Sequence, residues 1–214
     1  MTEDQGLGLG EVIELHHRML ASPRDTKVDA TYLFALTSDN ERSVFESAGD
    51  ILKRGLSSKI LIIDGEKRNG FPGIDEWRKR IAQHIPGNEV TPVPIRDRGN
   101  VNTRSESDAL IEYAKNEGLD SLYIASIPFH LPRAFMTAVS AAIDREANTR
   151  VLPYYGPELD WDEFSMHSQG TEGGTRRELV RTELERIRRY LDGTQGAVRL
   201  QPIREVLKYI RENS

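Results

Sequence analysis

The chain contains no cysteine, which excludes disulfides, thiolate metal sites and cysteine nucleophiles and fits a cytoplasmic protein. Long apolar runs are missing as well. The longest candidate, around Ala134 to Ile143, falls well short of the roughly 20 residues a membrane span needs, so no membrane partner is expected. The opening Met1-Thr2-Glu3-Asp4-Gln5 lacks the basic-then-apolar order of a signal peptide. Positive charge is not in excess: 29 Lys and Arg stand against 34 Asp and Glu, a net charge of −5 with the two signs interleaved. That pattern offers no broad basic face, so nucleic acid is not an expected partner. Also absent are G-x-G-x-x-G after a strand, G-x-x-x-x-G-K-[ST] and G-x-S-x-G, which disfavours the usual dinucleotide oxidoreductases, P-loop NTPases and α/β-hydrolases.

What is present is an alternation of strands and helices across 214 residues, read as a single α/β domain. The expected fold is a Rossmann-like, doubly wound, mostly parallel sheet with helices on both faces, a three-layer sandwich. Its core runs from about 28 to 192, with extra helices at 9–20 and 202–212. Apolar runs predict strands at Thr31–Leu36, Lys59–Ile63, Ser121–Ile127 and Arg150–Tyr155. Val90–Ile95 alternates but holds Pro92 and Pro94, so it is an edge strand or an extended connector. Helical spacing places Val44, Phe45, Ala48, Ile51 and Leu52 on one face before a stop at Gly55, and Ile74, Trp77, Ile81 and Ile85 on another. In the first helix, Val12, Leu15, Met19 and Leu20 have core spacing, and His16 and His17 are read as packing or solvent residues.

Two capping boxes are expected. Thr103 with Glu106 starts a helix ending near Asn116 and Gly118, and Thr175 with Glu178 starts one that turns Val180, Leu184, Ile187 and Leu191 inward. The charges of that later helix, among them Arg177, Arg181, Glu183, Glu185 and Arg189, read as a solvated face. Between Gly156 and Gly174 the chain is least regular. Aromatic and acidic residues there suit a lid, or a surface excursion pinned by Trp161; Asp160, Asp162 and His167 match no standard metal spacing, and no metal is assigned. A last helix with Ile203, Val206, Leu207 and Ile210 docks on the sheet or on a second subunit, which leaves a homo-oligomer open.

The stretch Ser121–Ala134 organises the rest. It is a buried strand that turns at Pro128 and passes at Pro132 into a helix, leaving His130 and Arg133 between a strand C-terminus and a helix N-terminus. In open α/β sheets ligands bind at that edge, and first-turn N–H groups favour an anion. Strand C-termini share the edge, so Asp39 with Arg42, Asp64, Asn102 with Thr103, and Ser126 with His130 and Arg133 are expected to converge there. The expected roles are His130 as general acid or base with Glu106 or Asp64 in support, and Asp39, Arg42, Asn102, Thr103, Ser126 and Arg133 as ligand contacts. The ligand class is a small anionic or nucleotide-like metabolite; a non-catalytic binding module using the same pocket is the alternative. The cofactor is left unknown.

The order of these pieces resembles the YdcF, SanA and ElyC family of bacterial domains of unknown function. The resemblance rests on a helix opening near Arg42 after the first strand, on Asn102-Thr103 before the third core helix, and on His130-Leu131-Pro132-Arg133-Ala134 after a strand. It covers roughly Val28 to Tyr155 and implies a Rossmann-like sandwich with a pocket, but no particular reaction. The chain differs from that family in having Thr37-Ser38-Asp39-Asn40 where a glycine-rich turn is usual, Asp64-Gly65-Glu66 where Ser-Gly-Gly is usual, and its acidic residue, Glu106, three positions beyond Thr103 rather than two. Many relatives are membrane-anchored; this chain has no such segment in its sequence.

Overall fold

The computed structural model describes residues 8–34, 41–67, 71–87, 89–99, 101–166, 172–193 and 199–213. Its centre is a five-stranded parallel sheet of β1 (Ala30–Leu33), β2 (Ile60–Ile63), β3 (Val90–Val93), β4 (Ser121–Ser126) and β5 (Arg150–Tyr155), in the order β3-β2-β1-β4-β5. All four residues of β1 and of β2 are buried, which is why these strands read as unbroken apolar runs rather than alternations. The crossover helices are α2 (Glu41–Lys53), α3 (Ile74–His84), α4 (Thr103–Glu117) and α5 (Leu131–Asp144). Helices α2 and α3 pack together, as do α4 and α5; right-handed crossovers put the two pairs on opposite faces. Winding reverses between β1 and β4. Ligands of doubly wound sheets sit outside the strand ends at such a reversal.

Both edge strands carry a proline on their outer side. The Val93 carbonyl accepts from Asp64 N (2.9 Å), so β3 turns Val93 inward and Pro92 outward. In β5, Arg150 N donates inward to Asp120 O (2.7 Å), leaving Val151 and Pro153 to face out. Pro153 has no N–H to offer, and Val151 N is taken by Tyr209 Oη (2.9 Å), so the edge presents little to another strand. That tyrosine belongs to α7 (Ile203–Glu212), which packs on α5 and on the first helix, α1 (Leu9–Leu20), within the chain.

Helix α5 is buried from Leu131 through Ala142. Its interior hydroxyls are satisfied locally: Thr137 donates to Arg133 O (2.6 Å) and Ser140 to Met136 O (2.7 Å).

Three expectations need correction. The first capping box is formed by Asn102 and Ser105, not by Thr103 and Glu106. Asn102 is extended (φ −136°, ψ 166°) and its side chain accepts from Arg104 N and Ser105 N, each at 3.0 Å, while Ser105 Oγ accepts from Asn102 N (3.0 Å). The shift of one residue turns Thr103 and Glu106 onto the inner face of α4, 8% and 4% exposed. Secondly, the stretch expected to be irregular contains an antiparallel hairpin of β6 (Phe164–Met166) and β7 (Gly173–Thr175). Half-buried Trp161 packs against the core, as a pinned excursion requires. A Cβ on Gly173 would lie 2.6 Å from Phe164 Cζ, so glycine lets that ring cross the partner strand. The third correction concerns α6 (Arg176–Leu191), whose Thr175–Glu178 box forms as expected but whose inner face is Leu179, Glu183, Arg186, Ile187 and Tyr190; Val180, Leu184 and Leu191 are only half-buried.

Candidate functional site

His130 is the residue before α5, at the end of the turn that leaves β4. Its backbone N and that of Leu131 both donate to Ile127 O (3.0 and 2.9 Å), and its ring is 3% exposed. His130 Nδ1 lies 3.0 Å from Glu183 Oε2 on α6. One turn along α5, Arg133 grips the same carboxylate with two bonds, Nε to Oε2 (2.5 Å) and Nη2 to Oε1 (3.1 Å). Its remaining nitrogen, Nη1, donates to Thr103 Oγ1 (2.7 Å) and reaches Tyr190 Oη (3.5 Å), and the Tyr190 ring centroid lies 5.6 Å from the guanidinium carbon. Four elements thus meet: the β4–α5 turn, α4, α5 and α6.

Burial alone would lower the pKa of Arg133, but the Glu183 carboxylate more than offsets it and leaves that pKa raised, so the guanidinium stays charged. A carboxylate fixed by a buried cation holds the imidazole. A ring proton on Nδ1 donated to Glu183 puts the other ring nitrogen, Nε2, in its acceptor form.

Beside this cluster, Tyr32 Oη donates to Glu106 Oε1 (2.7 Å). Burial first, then the Glu106 charge, push the tyrosine pKa well above its usual value, so it remains a donor. Phe34 connects the two groups, meeting Tyr32 edge-on at 5.0 Å and His130 at 6.2 Å between ring centroids. Phe34 N continues the ladder to Ala125 O (3.0 Å), so strand alternation puts Phe34 and Ser126 on one face of the sheet. Ser126 is fully buried and its Oγ has no hydrogen-bond partner among the described residues; the same holds for Tyr155 Oη on its register partner in β5. Burial pushes the Tyr155 phenol up to about 12.

The structure therefore joins Thr103, His130 and Arg133 directly and sets Glu106 and Ser126 on neighbouring strand and helix positions. Asn102 acts as the cap of α4. Asp64 is engaged elsewhere, accepting from Arg98 Nη2 (2.8 Å), and Arg42 lies in the first turn of α2, 80% exposed and paired with Glu46 (2.6 Å). Asp39 lies outside the described residues. Arg133, expected as a ligand contact, has its guanidinium bonded to Glu183 and Thr103. Those bonds fix the carboxylate that lies beside His130.

Sequence reasoning missed Glu183, Tyr190 and Tyr32. A signal for the first was present: Glu183 falls on the stripe Leu179, Glu183, Ile187, Tyr190, a lone carboxylate at core spacing. Two cavities lie away from this cluster. One of about 530 Å³ follows the outer face of α4, past Asp108, Glu112 and Tyr113, and one of about 200 Å³ lies between α1, α7 and β5. Among the described residues, no three His, Asp or Glu side chains group as metal ligands, and no helix is long and apolar enough to cross a membrane. Fold and site together define a doubly wound α/β protein with a buried His–Glu–Arg cluster at the reversal of its sheet. No protein-family model and no curated protein sequence matches the chain.

Proposed function

We propose that this chain is a cytoplasmic enzyme of YdcF-like type that acts on a small anionic or nucleotide-like metabolite, with His130 as general acid or base. The observation that carries the reading is the 3.0 Å contact of His130 Nδ1 with a carboxylate that Arg133 holds by two bonds. A histidine oriented by a carboxylate, itself fixed by a third group, is the arrangement proton-transfer sites use. Position adds support, since the cluster stands at the winding reversal, where α2 and α5 begin and first-turn N–H groups favour an anion. Arg42, in the first turn of α2, supplies exposed positive charge, and the unbonded Ser126 hydroxyl offers a donor or acceptor to a ligand.

In this reading Nε2 of His130 takes a proton from the attacking group or gives one to the leaving group, while Glu183 stabilises the ring in either state. Thr103 and Tyr190 keep Arg133 in place. A non-catalytic binding module is the second reading, favoured by the 3% exposure of His130. The test is a thermal-shift panel of nucleotides, sugar phosphates and carboxylates on wild type and His130→Ala, followed by product analysis with whichever class stabilises. A ligand at a hundred times its dissociation constant should add ~2.7 kcal/mol. His130→Ala should remain folded and lose turnover by about 10²- to 10⁴-fold. Full activity in that variant rejects the assignment of His130; reversible binding with no product over long incubation selects the binding module.

A further inference from the structure

Phe34, just past β1, Ser126 in β4 and Tyr155 in β5 stand in a row across neighbouring strands, on the sheet face where Tyr32 meets Glu106 of α4. Two strand spacings, roughly 10 Å, separate the ends of the row. His130 meets it at Phe34. At the other end stands Arg24, whose guanidinium carbon lies over the Tyr155 ring, 6.0 Å from its centroid. Arg24 belongs to the link from α1 to β1, which is pinned on both sides of it: Tyr123 Oη donates to Thr26 O (2.9 Å) and lies 3.3 Å from Pro23 O. The Arg24 side chain is exposed, and no carboxylate among the described residues pairs with it. Its acidic neighbour, Asp25, is taken by Arg54. Beside this cation are two buried oxygens, Tyr155 Oη and Ser126 Oγ, with no hydrogen-bond partner among the described residues. Buried polar atoms are rarely left so, because an unmade bond there is costly.

We propose that Arg24, Tyr155 and Ser126 form a second arm of the ligand site, which takes a carboxylate or phosphate at the far end of a molecule whose reacting atom lies at His130. The inference rests on the reading of His130 as the reacting centre. It narrows the ligand class to elongated metabolites that carry an anionic group roughly 10 Å from the reacting atom. Arg133 and Arg42 already hold carboxylates, those of Glu183 and Glu46, whereas the charge of Arg24 is uncommitted. Lying over the Tyr155 ring, its planar guanidinium keeps an N–H edge for two parallel bonds to an oxyanion. Burial keeps the Tyr155 phenol protonated, so it adds a donor, and the Ser126 hydroxyl adds another.

The test is calorimetric titration of the full chain with probes that differ in a second anion. Glucose 6-phosphate is set against glucose 1,6-bisphosphate and 6-phosphogluconate, and adenosine 5′-monophosphate against adenosine 3′,5′-bisphosphate. Wild type should bind at least one two-anion probe about 10- to 100-fold more tightly than its single-anion partner, as a hydrogen bond to a charged group allows. Preference for a bisphosphate assigns a phosphate to the arm, and preference for 6-phosphogluconate a carboxylate. Arg24→Ala should erase the preference and leave single-anion binding unchanged. Tyr155→Phe should weaken it while the denaturation midpoint holds or rises, because the hydroxyl it removes has no partner among the described residues. A wild type without such a preference overturns the proposal, as does an Arg24→Ala variant that retains it. The reading of His130 fails separately: it falls if His130→Ala keeps full turnover, whatever Arg24→Ala does to binding.

Discussion

Two ionic networks begin on adjacent residues of α4 and meet opposite fates. Thr103 faces inward to Arg133, whose partner Glu183 and neighbour His130 are, like it, only 2–3% exposed. Arg104 faces outward to Asp108 (3.0 Å) and Asp144 (2.6 Å), and Asp108 also takes Arg145 (2.7 Å), with side chains 15–33% exposed. The outer network ties α4 to α5 through arginine and carboxylate, whereas the inner one ties α5 to α4 through a hydroxyl and to α6 through a carboxylate. Only the inner one gives up its water. The outer set does a structural job at little desolvation cost, and partly exposed pairs of that kind contribute about 0–1 kcal/mol. The inner set carries a heavy desolvation penalty for a link that apolar side chains could make equally well. A buried charge cluster that includes a histidine is therefore better explained by what it holds in place than by the stability it adds.

The sharpest way to break this comparison is to remove one partner from each network. Glu183→Ala leaves Arg133 charged and without its carboxylate and should cost ~3–5 kcal/mol in urea denaturation, because an uncompensated buried charge remains. A loss under 1 kcal/mol would place the inner network with the outer one. Next in size is Tyr209→Phe, which removes the hydroxyl that accepts from Val151 N and donates to Thr149 O (2.8 Å), at about 1 kcal/mol per bond. The same tyrosine sharpens the contrast through pH. Burial raises Tyr154, Tyr155 and Tyr209 from 10.0 to about 12. A phenol that keeps its proton longer in the folded chain adds no pH dependence below its unfolded pKa. Stability should therefore fall as pH rises from 10 toward 12, and fall less steeply in Tyr209→Phe, as denaturation midpoints across that range would reveal. The smallest effect belongs to the outer network, where Asp144→Ala should cost about 0–1 kcal/mol and lose what effect it has in high salt.

Much of the sheet was legible in the sequence, because a strand buried on both faces has to be an apolar run, as Ile60–Ile63 and Leu122–Ala125 are. Edge position was legible for Val90–Val93 from its prolines. The turn from Ser126 to Arg133 could also be read, since Pro128 and Pro132 restrict where strand ends and helix begins. Three other features depend on tertiary partners. Asn102 and Thr103 are both competent caps, and what decides between them is the inward demand of Arg133 for the Thr103 hydroxyl and of Tyr32 for Glu106. The β6–β7 hairpin is too short and too rich in glycine to show an alternation. Glu183 lies among charges that read as solvent-facing, and only the contrast with Leu179, Ile187 and Tyr190 separates it from Glu185, which pairs with Arg181 at 3.4 Å on the surface.

The central claim is that Glu183 and Arg133 are kept for His130 and not for the fold. Its most direct test is the denaturation free energy of the double variant Arg133→Met with Glu183→Leu, set against wild type and both single variants. The account predicts that either single change costs ~3–5 kcal/mol while the apolar pair is as stable as wild type or up to about 4 kcal/mol more so, since neither charge then remains to be desolvated. A double variant as unstable as the singles would contradict it and make the buried cluster a structural bond of the fold.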